Sequence, residues 1–244
     1  MRRDPRAAAL LGPLLAGSDQ PHRVRRAAQG LGLPERGRYA VVVLGAPVAV
    51  PAVPAVPAVP AVPAVPEGNG ERWCWCGRAG VVLLGPGGPA GPVAALAEAG
   101  AGPGGVSPVV GGLAELGLAR RLAGAALAAC GPGSREIVAL DERLPAALVA
   151  SRPELSARLL AEVFGPLLTL DPAERALLVG TLEAWLECGG SVGRAALRLR
   201  CHRNTVFNRL RRLERLTSRS LSHPRELVET VLALDALRLS AAGR

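Results

Sequence analysis

The side chains in this 244-residue chain with the clearest chemistry are arginines and asparagines crowded near its C-terminus. Between Gly190 and Ser220 stand nine arginines, at positions 194, 198, 200, 203, 209, 211, 212, 215 and 219, against one acid, Glu214. That stretch therefore holds +8 of a formal net charge of +9. Arginine offers a planar fork of donors that suits phosphate oxygens and the O6 and N7 acceptors of guanine. Asparagine can donate and accept together, which suits N6 and N7 of adenine. A merely solvated helix face would intersperse acids for i, i+4 pairing. This arrangement is that of a phosphate-facing surface.

Two short helices are needed to display it. Ser191 follows Gly189-Gly190 and is a good N-cap, because its hydroxyl can accept from a free N–H of the first turn. Val192, Ala195, Ala196 and Leu199 recur at i, i+3, i+4 and i+7, a small apolar stripe that lets another helix approach closely. After a turn at Arg200 to His202, Val206, Leu210 and Leu213 form a second stripe. At about 100° per residue, Asn204, Asn208, Arg211 and Arg215 point away from that stripe, with Arg212 beside them.

Composition narrows the remaining possibilities. The chain is long enough for one or two domains. With 49% hydrophobic and only 2% aromatic residues, its core must be built from Leu, Val and Ala. Arginine supplies all of the Lys+Arg total, and Ala, Gly and Pro are abundant, a coding bias and not a structural signal. The five cysteines (74, 76, 130, 188 and 201) are odd in number and show neither a C-x-x-C pair nor a nearby histidine cluster. A reduced, cytoplasmic protein without a metal is expected. No apolar run reaches the roughly 18 to 20 residues that span a bilayer, and the N-terminus lacks a signal-peptide pattern.

Upstream, residues 6 to 17 suggest a short helix interrupted by Gly12-Pro13, and residues 19 to 30 a basic helical segment. Arg38 to Gly45 reads as a buried strand. Ala49 to Pro66 is six copies of Ala-Val-Pro; proline at every third position removes donors and fixes φ, so an extended polyproline spacer is expected, a slippage-expanded loop of harmlessly variable length. Two apolar runs, Arg72 to Cys76 and Val81 to Leu84, flank the Gly-bounded turn 77 to 80 as a hairpin. A helix at Pro92 to Ala99, a strand at Gly105 to Val110, a helix at Leu113 to Cys130 and a strand at Arg135 to Leu140 follow. Such alternation indicates an α/β layer with a mixed sheet. From Leu144 onward the pattern is helical, with Asp171-Pro172-Ala173-Glu174 as a capping box. The last helix, from Pro224, has apolar residues over a wide surface, which suggests burial on two sides, a second copy of the chain being one partner.

The Gly189-Gly190-Ser191 start, the His202-Arg203-Asn204-Thr205-Val206 turn and Arg209-Leu210-Arg211-Arg212-Leu213 together resemble the C-terminal helix-turn-helix of PucR-type regulators, the group that includes purine-catabolism and sugar-diacid regulators of bacteria. The likeness runs from about Asp171 to Leu239 and implies a DNA-binding transcriptional regulator whose recognition helix starts near Arg203. Arg203 stands where that family often has Pro, and Asn208 where it often has Tyr. Residues 38 to 143 are similar to the degenerate GGDEF-like domain of those regulators. A working cyclase would need paired acids in the hairpin turn to hold Mg²⁺; here that turn is Gly77-Arg78-Ala79-Gly80, so no catalytic residue and no cofactor are expected. The organisation implied is an N-terminal helical segment (1–37), the α/β domain (38–143), a helical connector (144–170) and the DNA-binding domain (171–244).

In such a module the N-terminal residues of the second helix lie nearest the bases. Arg203, Asn204 and Asn208 are the base-reading candidates, although Asn204 could equally hydrogen-bond the local backbone. Thr205, Arg209, Arg211 and Arg212 are candidates for phosphate contacts, joined by Arg194 and Arg198 from the first helix. His202 is most simply an N-cap, with DNA contact second. The expected partners are double-stranded DNA, a second copy of the chain and an unknown small-molecule effector, with no membrane. A non-specific nucleoid-associated or RNA-binding protein is the alternative; an enzyme ranks third, since Gly85-Pro86-Gly87-Gly88 lacks the Lys and Ser/Thr of a phosphate loop.

Overall fold

The computed structural model describes residues 5–45, 71–86, 88–131 and 133–241. The Ala-Val-Pro repeat lies outside them. The chain divides into two compact units, with the boundary between Ser151 and Arg152.

The first unit begins with α1 (Pro5–Leu15) and α2 (Pro21–Leu31). Pro13 lies within α1 without breaking it; only one turn remains beyond it, so a single backbone hydrogen bond is lost. The strands are β1 (Arg36–Leu44), β2 (Arg72–Cys76), β3 (Ala79–Leu83), β4 (Gly104–Val106), β5 (Val110–Gly112) and β6 (Ile137–Ala139). Between them come α3 (Ala90–Glu98) and α4 (Leu116–Ala128), the latter entered through a 3-10 turn at Leu113–Glu115. Helix α5 (Leu144–Ser151) closes the unit and packs on α4.

β1 is central. β3 pairs antiparallel along one edge and is paired in turn by β2. β4 and β5 occupy successive halves of the other edge, both antiparallel to β1, and β6 joins β4 in parallel. The expected continuous strand at Gly105 to Val110 is thus two short ones. Pro108 has no N–H for the ladder, and Ser107 bridges the gap: its Oγ accepts from the Val41 N–H at 3.0 Å and its own N–H donates to the Val41 carbonyl at 2.9 Å. Alternation along β1 builds two cores. Tyr39 and Val41 face Leu11, Leu14, Val24, Leu116 and Ala119 of α1, α2 and α4, whereas Ala40, Val42 and Leu44 face Trp75, Val82 and Leu96 of the α3 side.

The second unit is all helical: α6 (Pro153–Leu168), α7 (Pro172–Glu187), α8 (Val192–Arg198), α9 (Arg203–Thr217) and α10 (Pro224–Ala241). The stretch 144–170, read from sequence as one connector, is divided: α5 belongs to the first unit, and α6 packs with α9 and α10 in the second. Pro166, like Pro13, sits in the last turn of its helix and leaves it intact. Phe164, Leu167, Leu182, Ala195, Val206, Leu213 and Leu234 share one core. α10 buries Thr230, Ala233, Leu234, Ala236 and Leu237 while Val228 stays 57% exposed.

Candidate nucleic-acid interface

The basic face is assembled by the ends of three helices. Asp171 caps α7 by accepting from the N–H groups of Ala173 (2.9 Å) and Glu174 (3.4 Å). α7 then stops in a paired backbone motif: Gly189 N–H reaches Leu186 O and Gly190 N–H reaches Trp185 O, each at 2.9 Å, with Gly189 at φ 61°. Ser191 caps α8, its Oγ accepting from Arg194 N–H at 3.4 Å.

The turn between α8 and α9 repeats the same ending with a different residue. Arg200 N–H bonds Leu197 O at 3.2 Å and Cys201 N–H bonds Ala196 O at 3.0 Å, with Arg200 at φ 51°. His202 is the N-cap of α9, its Nδ1 accepting from Asn204 N–H at 3.2 Å. The buried residues of α9 are Val206, Leu210, Leu213 and Thr217. Arg203, Asn204, Phe207, Asn208, Arg211, Arg212 and Arg215 are exposed, and Thr205 and Arg209 are half-buried.

The arginines fall into two groups. Arg198 pairs with Glu187 at 2.5 Å, Arg212 pairs with Glu174, and Arg219 binds both Glu229 (2.9 Å) and Glu162 (3.4 Å). The other six of the nine have no carboxylate partner among the described residues: Arg194, Arg200, Arg203, Arg209, Arg211 and Arg215. Of the residues singled out in sequence, Arg203, Asn204, Asn208 and Arg211 share the open face of α9, and Arg194 lies beside Gly189 at the start of α8. Arg198 and Arg212 are instead tied to α7, by surface pairs of a kind worth about 0–1 kcal/mol that a stronger anion can displace.

Glu214, the lone acid of the basic stretch, holds the loop after α9. Its Oε1 accepts from Leu221 N–H at 2.8 Å, and Glu226 Oε2 accepts from Ser220 N–H at 2.6 Å. These two bonds, with Leu221 buried in the helical core, fix the loop beside a cleft of about 690 Å³ lined by Asn208, Arg211, Arg215 and Ser218 together with Glu214 and Glu226. Sequence reading gave no role to Phe207. It is 47% exposed, and the Arg211 guanidinium carbon lies 4.9 Å from its ring centroid. The signal was its position, four residues from both Arg203 and Arg211 on the outer side of the helix.

In the first unit, the hairpin turn 77 to 80 carries Arg78, whose Nε donates to Leu44 O at 2.7 Å. That side chain ties the turn to the end of β1.

Residues 178–236 match the PucR C-terminal helix-turn-helix domain. An uncharacterized protein of Mycobacterium bovis and its counterparts in two strains of Mycobacterium tuberculosis are each 33% identical to this chain over 94 residues, 38% of this chain and 22% of theirs. The match thus spans about a fifth of the length of those curated relatives. Among solved structures, a regulator of polyketide synthase expression from Bifidobacterium adolescentis is similar with a TM-score of 0.40 and 21% identity, over 96% of this chain and 98% of that one. No helix among the described residues is long and apolar enough to cross a membrane.

Proposed function

We propose that the chain is a sequence-specific DNA-binding transcriptional regulator that lays α9 in the major groove. The observation that carries this reading is the open face of α9 and the α8–α9 turn, where Arg200, Arg203, Arg211 and Arg215, without carboxylate partners among the described residues, surround two exposed asparagines. The helix-turn-helix match supports it. In this reading Arg203, Asn204 and Asn208 meet base edges, while Arg194, Thr205, Arg209 and Arg211 set register on phosphates. The Asn204 side chain has no hydrogen bond among the described residues, since His202 Nδ1 accepts from its backbone N–H. Arg198 and Arg212 contribute after exchanging Glu187 and Glu174 for phosphate.

The reading is regulatory and not enzymatic, with the α/β unit as a GGDEF-like support or relay for an effector. A homodimer would read two half-sites about one helical turn, or a multiple of it, apart. Selection of bound sequences from a random DNA pool by the full chain tests the proposal. A recovered motif whose affinity exceeds that for unrelated DNA by about 10³-fold or more supports it. Equal affinity for motif, unrelated DNA and RNA would instead establish the non-specific nucleic-acid binder.

A further inference from the structure

Phe207 is an anomaly on the face just described. The chain has six aromatic residues, and of these Phe207 is the exposed one, at 47%, whereas Phe164, the other phenylalanine, is fully buried. At about 100° per residue, Arg203, Asn204, Phe207, Asn208 and Arg211 fall in one sector of about 140°, with Phe207 inside it and not on its rim. The ring is also steadied. Arg211, one turn on, stacks over it at 4.9 Å, and on its inner side it borders a recess lined by Trp185, Val192 and Leu210, with Glu214 at the edge. An apolar, positioned side chain amid donors that face a nucleic acid has one complementary feature on the major-groove floor, the C5 methyl of thymine.

We infer that Phe207 is a specificity-determining residue that contacts a thymine methyl, between the hydrogen-bonding contacts of Arg203 and Asn208. The inference rests on α9 lying in the major groove, as proposed above. Ring and methyl exclude water from each other, so the contact selects thymine over cytosine at one position without any hydrogen bond. Arg211 gains from the same arrangement, because the ring beneath it orients its guanidinium.

The test uses the full chain and the sequence motif recovered by selection. Each thymine of the motif is replaced in turn by uracil, which removes the methyl and keeps every hydrogen-bonding group. For the wild-type protein, one thymine per half-site should be sensitive, with affinity falling about fourfold on its replacement, the value of one buried methyl. Phe207→Ala should bind thymine and uracil equally at that position while keeping its preferences elsewhere. Phe207→Leu, which retains an apolar contact and loses the ring, should keep most of the discrimination. The inference is overturned if no thymine is methyl-sensitive, or if Phe207→Ala and wild type lose the same factor. Failure to recover any preferred motif would overturn the groove reading itself and this inference with it, whereas a motif indifferent to uracil overturns only the role of Phe207.

Discussion

Arg200 takes a left-handed backbone, φ 51°, in the place where α7 uses Gly189 at 61°. For a residue with a Cβ that conformation costs about 1–2 kcal/mol, part of which glycine would give back as chain entropy. Arg200→Gly should therefore stabilise the helical unit by about 0.5–1 kcal/mol in denaturant titration while weakening DNA binding, since an exposed arginine is lost from the basic face. Stabilisation with unchanged affinity would remove Arg200 from the interface. A second residue-scale effect concerns Tyr39, wholly buried with its hydroxyl donating to Pro34 O at 2.6 Å. Burial first, and Cys74 second, push its phenol from 10.0 up to about 12 against the pull of Arg72. The unfolded chain releases this proton near pH 10 and the folded one near 12. Stability contributed by the protonated phenol is thus complete below pH 10 and declines as pH rises, by about 1.4 kcal/mol per unit between 10 and 12. Tyr39→Phe should flatten that alkaline decline in thermal melts.

Among the elements, β4 meets α4 through bare backbone. A Cβ on Gly105 would be driven into the backbone of Ala123 and Leu127, and neither helix nor strand can yield without parting from its neighbours. Gly105→Ala should cost about 3 kcal/mol, enough to shift the unfolding midpoint of the α/β unit clearly; a variant with unchanged midpoint would refute this close approach. Local chemistry made most of the helical unit legible beforehand. Asp171, Ser191 and His202 all cap the helices they precede, because a cap depends on a few neighbouring residues. Long-range decisions were less visible. Residues 105 to 110 read as one strand because their apolar types say nothing of Pro108 against the ladder of β1. Nor did spacing show that α5 and α6 serve different cores, since both are apolar helices with similar turns. Arg211 and Arg212 looked alike in sequence, and only packing against α7 separates them.

For the whole molecule, net charge is less informative than how it is committed. With three of the nine arginines engaged by carboxylates, six at most meet phosphate freely. Those six alone would give a slope of log affinity against log salt of about 5 per chain, to which Arg198 and Arg212 add only as far as their pairs with Glu187 and Glu174 open. Arg211→Ala should reduce it by about one unit, and Arg212→Ala by less, because Glu174 competes for that guanidinium. Equal reductions would show that the Glu174 pair opens at no cost.

The division of labour along α9 has a consequence for how such a protein can change over evolutionary time. Val206, Leu210, Leu213 and Thr217 are buried and Leu216 packs beside them, while Arg203, Asn204 and Asn208 are exposed and belong to no core cluster. Substitutions at Arg203, Asn204 and Asn208 can therefore accumulate with little penalty to folding, and under the proposed groove docking of α9 a new target sequence would be acquired by drift at a handful of positions. Such a surface would behave as an interchangeable part carried on a fixed frame, and exchanging those positions between relatives should then transfer target preference with the frame intact.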